Sequence, residues 1–207
     1  MGKLKIKVCG MRNLDNIELL SKLPIDYMGL IFYEQSKRFV DQTVLLDNID
    51  LGSIQRVGVF VDASLDDIKS KIRLYQLNAV QLHGVESPAF CQDLKSQNIQ
   101  IIKAFGIDKN FNWEQLKDYQ DDVDFFLFDT KTENHGGSGI TFDWNILKNY
   151  TLQTPYFLSG GLTIDNIASA AKLDDLRLFG LDINSKFETE PGIKNIKLIE
   201  QALNIIQ

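Results

Sequence analysis

The strand-like segments of this chain end in residues able to do chemistry. KIKVCG ends in Cys9 and Gly10, and YMGLIF (27–32) runs into a loop that carries Arg38. AVQLHG (79–84) carries Gln81 and His83, IQIIKAF (99–105) carries Lys103, and DFFLFD (124–129) ends in Asp129. YFLSGG (156–161) ends in Ser159, Gly160 and Gly161, and LRLFGLD (176–182) ends in Asp182, followed by Asn184 and Ser185. A carboxyl group held protonated by burial can deliver a proton, and a thiol whose pKa falls toward neutrality can take one. Two glycines between a strand and a helix expose backbone N–H groups, which suits a phosphate.

Taken singly, each residue also has a plainer reading. A cysteine at a strand end is often a small buried apolar group, and Cys91, within a helical stretch, takes that reading outright. Asp129 could cap the next segment or pair with a lysine. Arg38 could be a solvated loop charge, and His83 could serve only its neighbours. His135, in the glycine-rich stretch KTENHGGSG (131–139), is expected at the surface; that stretch directly follows a strand end and is a candidate functional loop.

The elements that must position these residues follow from patterning. Eight short segments rich in Val, Ile and Phe recur, most of them dense apolar runs, as expected of parallel strands covered on both faces. Helical patterns lie between them. LDNIELLSKL (14–23) has apolar residues at 14, 17, 20 and 23. SLDDIKSKIRLYQL (64–77) opens on Ser64 as N-cap with an acidic first turn. SPAFCQDLKSQ (87–97) opens on Ser87 with Pro88 at the first helical position. TIDNIASAAKL (163–173) opens on Thr163, and the tail 193–206 is amphipathic. Eight alternations of strand and helix predict an α/β protein, a (β/α)8 barrel formed as one compact domain over residues 1–207, with chemistry at the C-terminal strand ends. At this length several helices must be short. An open doubly wound sheet is the other option, but neither GxGxxG nor a P-loop follows the first strand.

Composition narrows the function classes. The chain has 207 residues, 44% hydrophobic and 24% charged, with net charge -6 and no dense Lys/Arg run, so nucleic acid is not an expected partner. An acidic protein can still hold a small anion at a locally positive site. No signal-peptide core and no apolar run near the ~20 residues of a membrane span occur, so a cytoplasmic location without membrane association is expected. Two distant cysteines make a poor disulfide framework, and two histidines with two cysteines predict no metal site.

Read together, KVCGMR, GLIFYEQSKRFV, VGVFVDAS, VQLHGVES, IKAFGI, FLFDT, HGGSGITFDW, LSGGLTIDNI and FGLDINSKFETEPGIKN fall in the order and spacing of the phosphoribosylanthranilate isomerase family. The resemblance covers residues 5 to about 196. It implies a cofactor-free isomerase of tryptophan biosynthesis, acting at the third chemical step. N-(5-phosphoribosyl)anthranilate becomes 1-(2-carboxyphenylamino)-1-deoxyribulose 5-phosphate by an Amadori rearrangement. It also implies Cys9 as general base, Asp129 as general acid, and Arg38 as holder of the anthranilate carboxylate. Gly160 and Gly161, with the loop after the last strand, would hold the phosphate. Gln81, His83, Asp182, Asn184 and Ser185 complete the expected substrate site. Such proteins act alone, as homodimers or fused to pathway partners, so the expected partner is a small phosphorylated substrate and the chain is a monomer or homodimer.

Two further expectations arise. Lys7 shares the strand face of Cys9, so its ammonium could favour a thiolate, or it could pair with a carboxylate. Where the family pattern reads S-S-G-V-E, this chain has Asn184-Ser185-Lys186-Phe187-Glu188, so Lys186 would either crowd a phosphate or contact it. A non-catalytic barrel that binds a phosphorylated ligand is the alternative that this change supports. A related isomerase of histidine biosynthesis would be expected to place an aspartate where Cys9 stands, and the lysine and glutamate set of indole-glycerol-phosphate synthase has no match.

Overall fold

The computed structural model describes residues 3–41, 44, 46, 49–130 and 143–206. Among them, eight strands close a parallel barrel in chain order: β1 (Lys5–Cys9), β2 (Tyr27–Ile31), β3 (Gln55–Phe60), β4 (Ala79–Leu82), β5 (Gln100–Ile107), β6 (Phe125–Thr130), β7 (Tyr156–Leu158) and β8 (Leu178–Ile183). The β1–β8 pairing completes the ring and sets Lys7 opposite Asp182. The (β/α)8 barrel expected from the alternating pattern is the architecture observed.

Strand periodicity divides the apolar residues between two cores. Tyr27, Val57, Ala79, Ile102, Leu127 and Phe157 point into the barrel. Their neighbours Met28, Val80, Ile101, Phe126, Phe128 and Leu158 point outward, beneath the helices. Both faces are dry, which is why the strand sequences read as unbroken apolar runs. Tyr27, Phe125, Phe157 and Phe179 plug the N-terminal end of the barrel, with ring centroids 4.4–6.2 Å apart. The polar interior is thereby confined to the C-terminal end.

The helices are shorter than their patterns. α1 is Leu14–Leu20, α2 Leu65–Tyr75, α3 Pro88–Lys95, α4 Ile167–Ala171 and α5 Ile196–Ile206. Ser64 and Ser87 cap as expected, accepting from the backbone N–H of Asp67 and Phe90, with Pro88 in the first turn of α3. Thr163 does not open α4. It begins a turn ahead of the helix, in which Thr163 N–H donates to Asn166 Oδ1 (2.8 Å). Strict alternation also fails. Between β5 and β6 stands a six-residue 3₁₀ helix, Trp113–Asp118, and another, Trp144–Asn149, precedes β7. Segments this short gain little from α-helix nucleation, and short 3₁₀ turns are common connectors.

The tail differs as well. Residues 193–194 belong not to the helix but to a small hairpin, β9 (Glu188–Glu190) with β10 (Ile193–Lys194). Pro191 and Gly192, the latter at φ +89°, turn the chain there. No helix of the described residues is long and apolar enough to cross a membrane.

Candidate active site

Cys9 is the last residue of β1 and Asp129 lies near the end of β6, both directed into the barrel mouth by the inward phase of their strands. Gly29 of β2 is the register partner of Cys9, and a Cβ there would stand 2.7 Å from the Cys9 Sγ. Nothing in the local spacing around Gly29 points to this requirement. Gly29→Ala is expected to destabilise the protein by about 1–3 kcal/mol through overpacking, read by urea unfolding. A loss under about 0.5 kcal/mol, as for ordinary surface changes, would mean that β1 and β2 part there without strain.

Gly10, at φ +81°, stands at a second close approach. An added Cβ would lie 2.6 Å from Arg38 Cδ and 2.8 Å from Asn184 Oδ1, so the glycine makes room for those two side chains. Gly160 (φ +83°) passes so close to β6 that a Cβ would meet Asp129 Oδ1 at 2.6 Å. Gly161 follows at φ +62°, and its carbonyl is held by Asn166 Nδ2 at 3.0 Å. Among the described residues, nothing accepts a hydrogen bond from the N–H of Gly160 or Gly161.

The electrostatics favour an acid at Asp129. Burial raises its carboxyl to about 6, Asp182 adds to the effect, and the Thr130 N–H opposes it. His83 Nε2 stands 3.7 Å from Asp129 Oδ2, and His83 Nδ1 lies 3.0 Å from Gln81 Nε2. Gln81 is buried, and its Oε1 has no partner among the described residues, an unmet acceptor at the site.

The thiol is shifted away from neutrality. Burial pushes the Cys9 pKa up from its ordinary value, and the ammoniums of Lys7 and Lys194 only partly oppose this. Lys7 resolves in favour of a carboxylate partner. It is fully buried, and its Nζ donates to Asp182 Oδ1 at 2.9 Å. Burial works against its charge, but Asp182 and Cys9 outweigh that and hold the ammonium above its usual pKa. Asp182 is thus occupied by Lys7, with a long contact from Ser159 Oγ at 3.4 Å.

Arg38 is not a solvated loop charge. Its guanidinium grips Glu188 through contacts of 2.7–3.1 Å, and only 15% of its side chain is exposed. Asn184 and Ser185 stand at the end of β8, where Ser185 begins a one-turn 3₁₀ helix, Ser185–Phe187. Lys186 projects to the surface from that turn while Phe187 is buried. Lys103 is the residue placed wrongly by its strand position. It sits between inward-facing Ile102 and Ala104, so it points outward and pairs with buried Glu86 at 2.9 Å. His135 and the stretch 131–139 lie outside the described residues.

Lys194 is the residue that sequence reasoning missed. It falls within the tail read as amphipathic, but it is buried in the site, with its Nζ on Asn184 Oδ1 (2.7 Å) and Glu188 Oε1 (2.5 Å). The Pro191-Gly192 turn was the available signal that the helix begins later.

A barrel mouth with a raised carboxyl, a buried thiol, paired cations and glycine amides unpartnered among the described residues is equipped for proton transfer on an anionic molecule. Comparison with known proteins agrees. Residues 6–204 match the family model described as N-(5'phosphoribosyl)anthranilate (PRA) isomerase. An N-(5'-phosphoribosyl)anthranilate isomerase of Parabacteroides distasonis is 43% identical over 206 residues, 98% of this chain and 91% of the relative. The crystal structure of phosphoribosyl anthranilate isomerase from Thermotoga maritima superposes with TM-score 0.82 at 32% identity, covering 98% of each chain. A phosphoribosyl anthranilate isomerase solved in complex with reduced 1-(o-carboxyphenylamino)-1-deoxyribulose 5-phosphate superposes with TM-score 0.79 at 30% identity, again over 98% of each. With the family's pattern matched along almost its whole length, this chain belongs to the N-(5'-phosphoribosyl)anthranilate isomerase family.

Proposed function

We propose that this protein isomerises N-(5-phosphoribosyl)anthranilate to 1-(2-carboxyphenylamino)-1-deoxyribulose 5-phosphate, in tryptophan biosynthesis, with Asp129 as general acid and Cys9 as general base. The observation that carries the reading is the Asp129 carboxyl, raised to about 6 by burial at the strand end where the family resemblance puts the acid. Ring opening needs a proton on the furanose oxygen, and Asp129 supplies it. The resulting Schiff base then loses its C2′ proton to the Cys9 thiolate, giving the enolamine. Each positioned proton transfer contributes typically ~10²–10⁴-fold.

The protonation states required are the minority pair. Asp129 must be protonated although its pKa is about 6, and Cys9 must be ionised although burial opposes it. Between the two pKa values, gain of thiolate with rising pH cancels loss of carboxylic acid, so the competent fraction is flat. Lys7 and Lys194 keep the thiolate accessible by lowering the Cys9 pKa against burial. Arg38 takes the anthranilate carboxylate, and Gly160 and Gly161 with the Asn184-Ser185 turn take the phosphate. Anchoring both ends fixes the reacting carbons between thiol and carboxyl.

The test is the fluorescence of freshly prepared phosphoribosylanthranilate. Purified protein is expected to abolish it far faster than spontaneous decay, and Cys9→Ala is expected to slow that at least about 100-fold. A folded wild-type protein that leaves the spontaneous rate unchanged would overturn the assignment and favour a barrel that only binds a phosphorylated ligand.

A further inference from the structure

Lys194 presents a charge imbalance that its effect on the Cys9 thiol does not account for. Three charged side chains meet at the edge of the barrel mouth: Arg38 and Lys194 both contact Glu188. Two cations share one carboxylate, and all three side chains are largely removed from solvent. An excess buried charge is unfavourable unless something offsets it. The placement is also tightly built. Buried Asn16 accepts from the Lys194 N–H at 2.7 Å and donates to its carbonyl at 3.0 Å, fixing the backbone from which the side chain enters the site. The Lys194 Nζ then clamps Asn184 Oδ1, so the amide NH₂ of Asn184 must be the end directed elsewhere.

We infer that Lys194 is a positioning residue for the carboxylate end of the substrate, neutralising Glu188 so that the Arg38 guanidinium retains a net positive charge for that carboxylate. This rests on the isomerase reading and on the anchoring role of Arg38. With Lys194 present the trio carries +1, which a bound carboxylate completes. Without it the Arg38–Glu188 pair is already neutral, and the incoming carboxylate meets Glu188 at close range. Burial brings the Lys194 pKa down to about 8 against the pull of Glu188. The charged groups that face it are Glu188, Cys9, Arg38 and Asp182, the last already paired with Lys7. Affinity for the carboxylate therefore falls as pH rises through about 8, because deprotonation of Lys194 removes the excess charge.

The experiment uses two probes on the full chain, by titration calorimetry: reduced 1-(o-carboxyphenylamino)-1-deoxyribulose 5-phosphate and its counterpart without the ring carboxylate. Lys194→Met is expected to weaken the first about tenfold and to leave the second within about twofold. The double variant Glu188→Gln, Lys194→Met restores a net +1 and is expected to regain most of that loss, which a merely structural lysine would not allow. Wild-type affinity for the first probe alone should weaken above pH 8, a readout that survives if Lys194→Met fails to fold. Equal weakening of both probes, no rescue, or a Lys194→Met effect confined to kcat and the thiol pKa would overturn the inference and tie Lys194 to Cys9 instead. A wild-type protein that binds neither probe would overturn the isomerase reading itself.

Discussion

Asp129→Asn is expected to lower kcat by about 10³-fold and to change the shape of the pH profile. In the wild type, activity should fall below pH 6, because acid there protonates the thiol further while Asp129 gains nothing more. That limb belongs to the general acid although it looks like a base. In the variant the limb near pH 6 disappears, and residual activity should rise continuously toward the thiol pKa. The same substitution should stabilise the protein at pH 8. A carboxyl raised from near 4 to about 6 favours the folded state fully only below its unfolded pKa, and that advantage is lost as pH rises through 6. Removing the ionisable group relieves about 1–3 kcal/mol above pH 6 and little at pH 4. Urea unfolding at the two pH values measures this. A variant that keeps the pH 6 limb would take Asp129 out of the acid role.

Asp182→Ala should destabilise the protein by about 3–5 kcal/mol at pH 7, because it leaves the fully buried Lys7 ammonium without its carboxylate. The loss should shrink toward pH 10. Without Asp182, burial depresses the Lys7 pKa, so alkaline solution lets the native state hold a neutral amine. Replacing both partners, Lys7→Met with Asp182→Leu, should recover most of the stability, since an apolar pair often substitutes for a buried ion pair. It should not recover the thiol, whose pKa is expected to climb further without the Lys7 charge. A loss below about 1 kcal/mol in Asp182→Ala would mean that water reaches Lys7. An unchanged thiol pKa in Lys7→Met would rule out its electrostatic part in Cys9 ionisation.

Several residues were legible in the sequence because their position along a strand suffices to place them. Cys9 and Asp129 occupy strand ends with inward phase, and a barrel built from eight apolar segments delivers such residues to one mouth. Gly160 and Gly161 read as backbone exposed between strand and helix, and both adopt the left-handed conformation that only glycine enters easily. Ser64 and Ser87 read as caps because a cap is a local interaction spanning three residues.

Other assignments depended on which atoms are brought together across the chain. Lys103 lies on a strand like Gln81, but one residue out of phase, so it faces the helices rather than the substrate side. Gly29 matters only because barrel closure sets it against Cys9. The eight strands, the inward phase of Cys9 and Asp129 and the caps at Ser64 and Ser87 were thus legible from pattern alone. The ionisation of the site was decided by the tertiary structure. Burial raises the thiol and carboxyl together, and the pairings Lys7–Asp182 and Arg38–Glu188–Lys194 join residues up to 175 positions apart. Desolvation and Coulomb interactions act through space, so no reading along the chain could assign them.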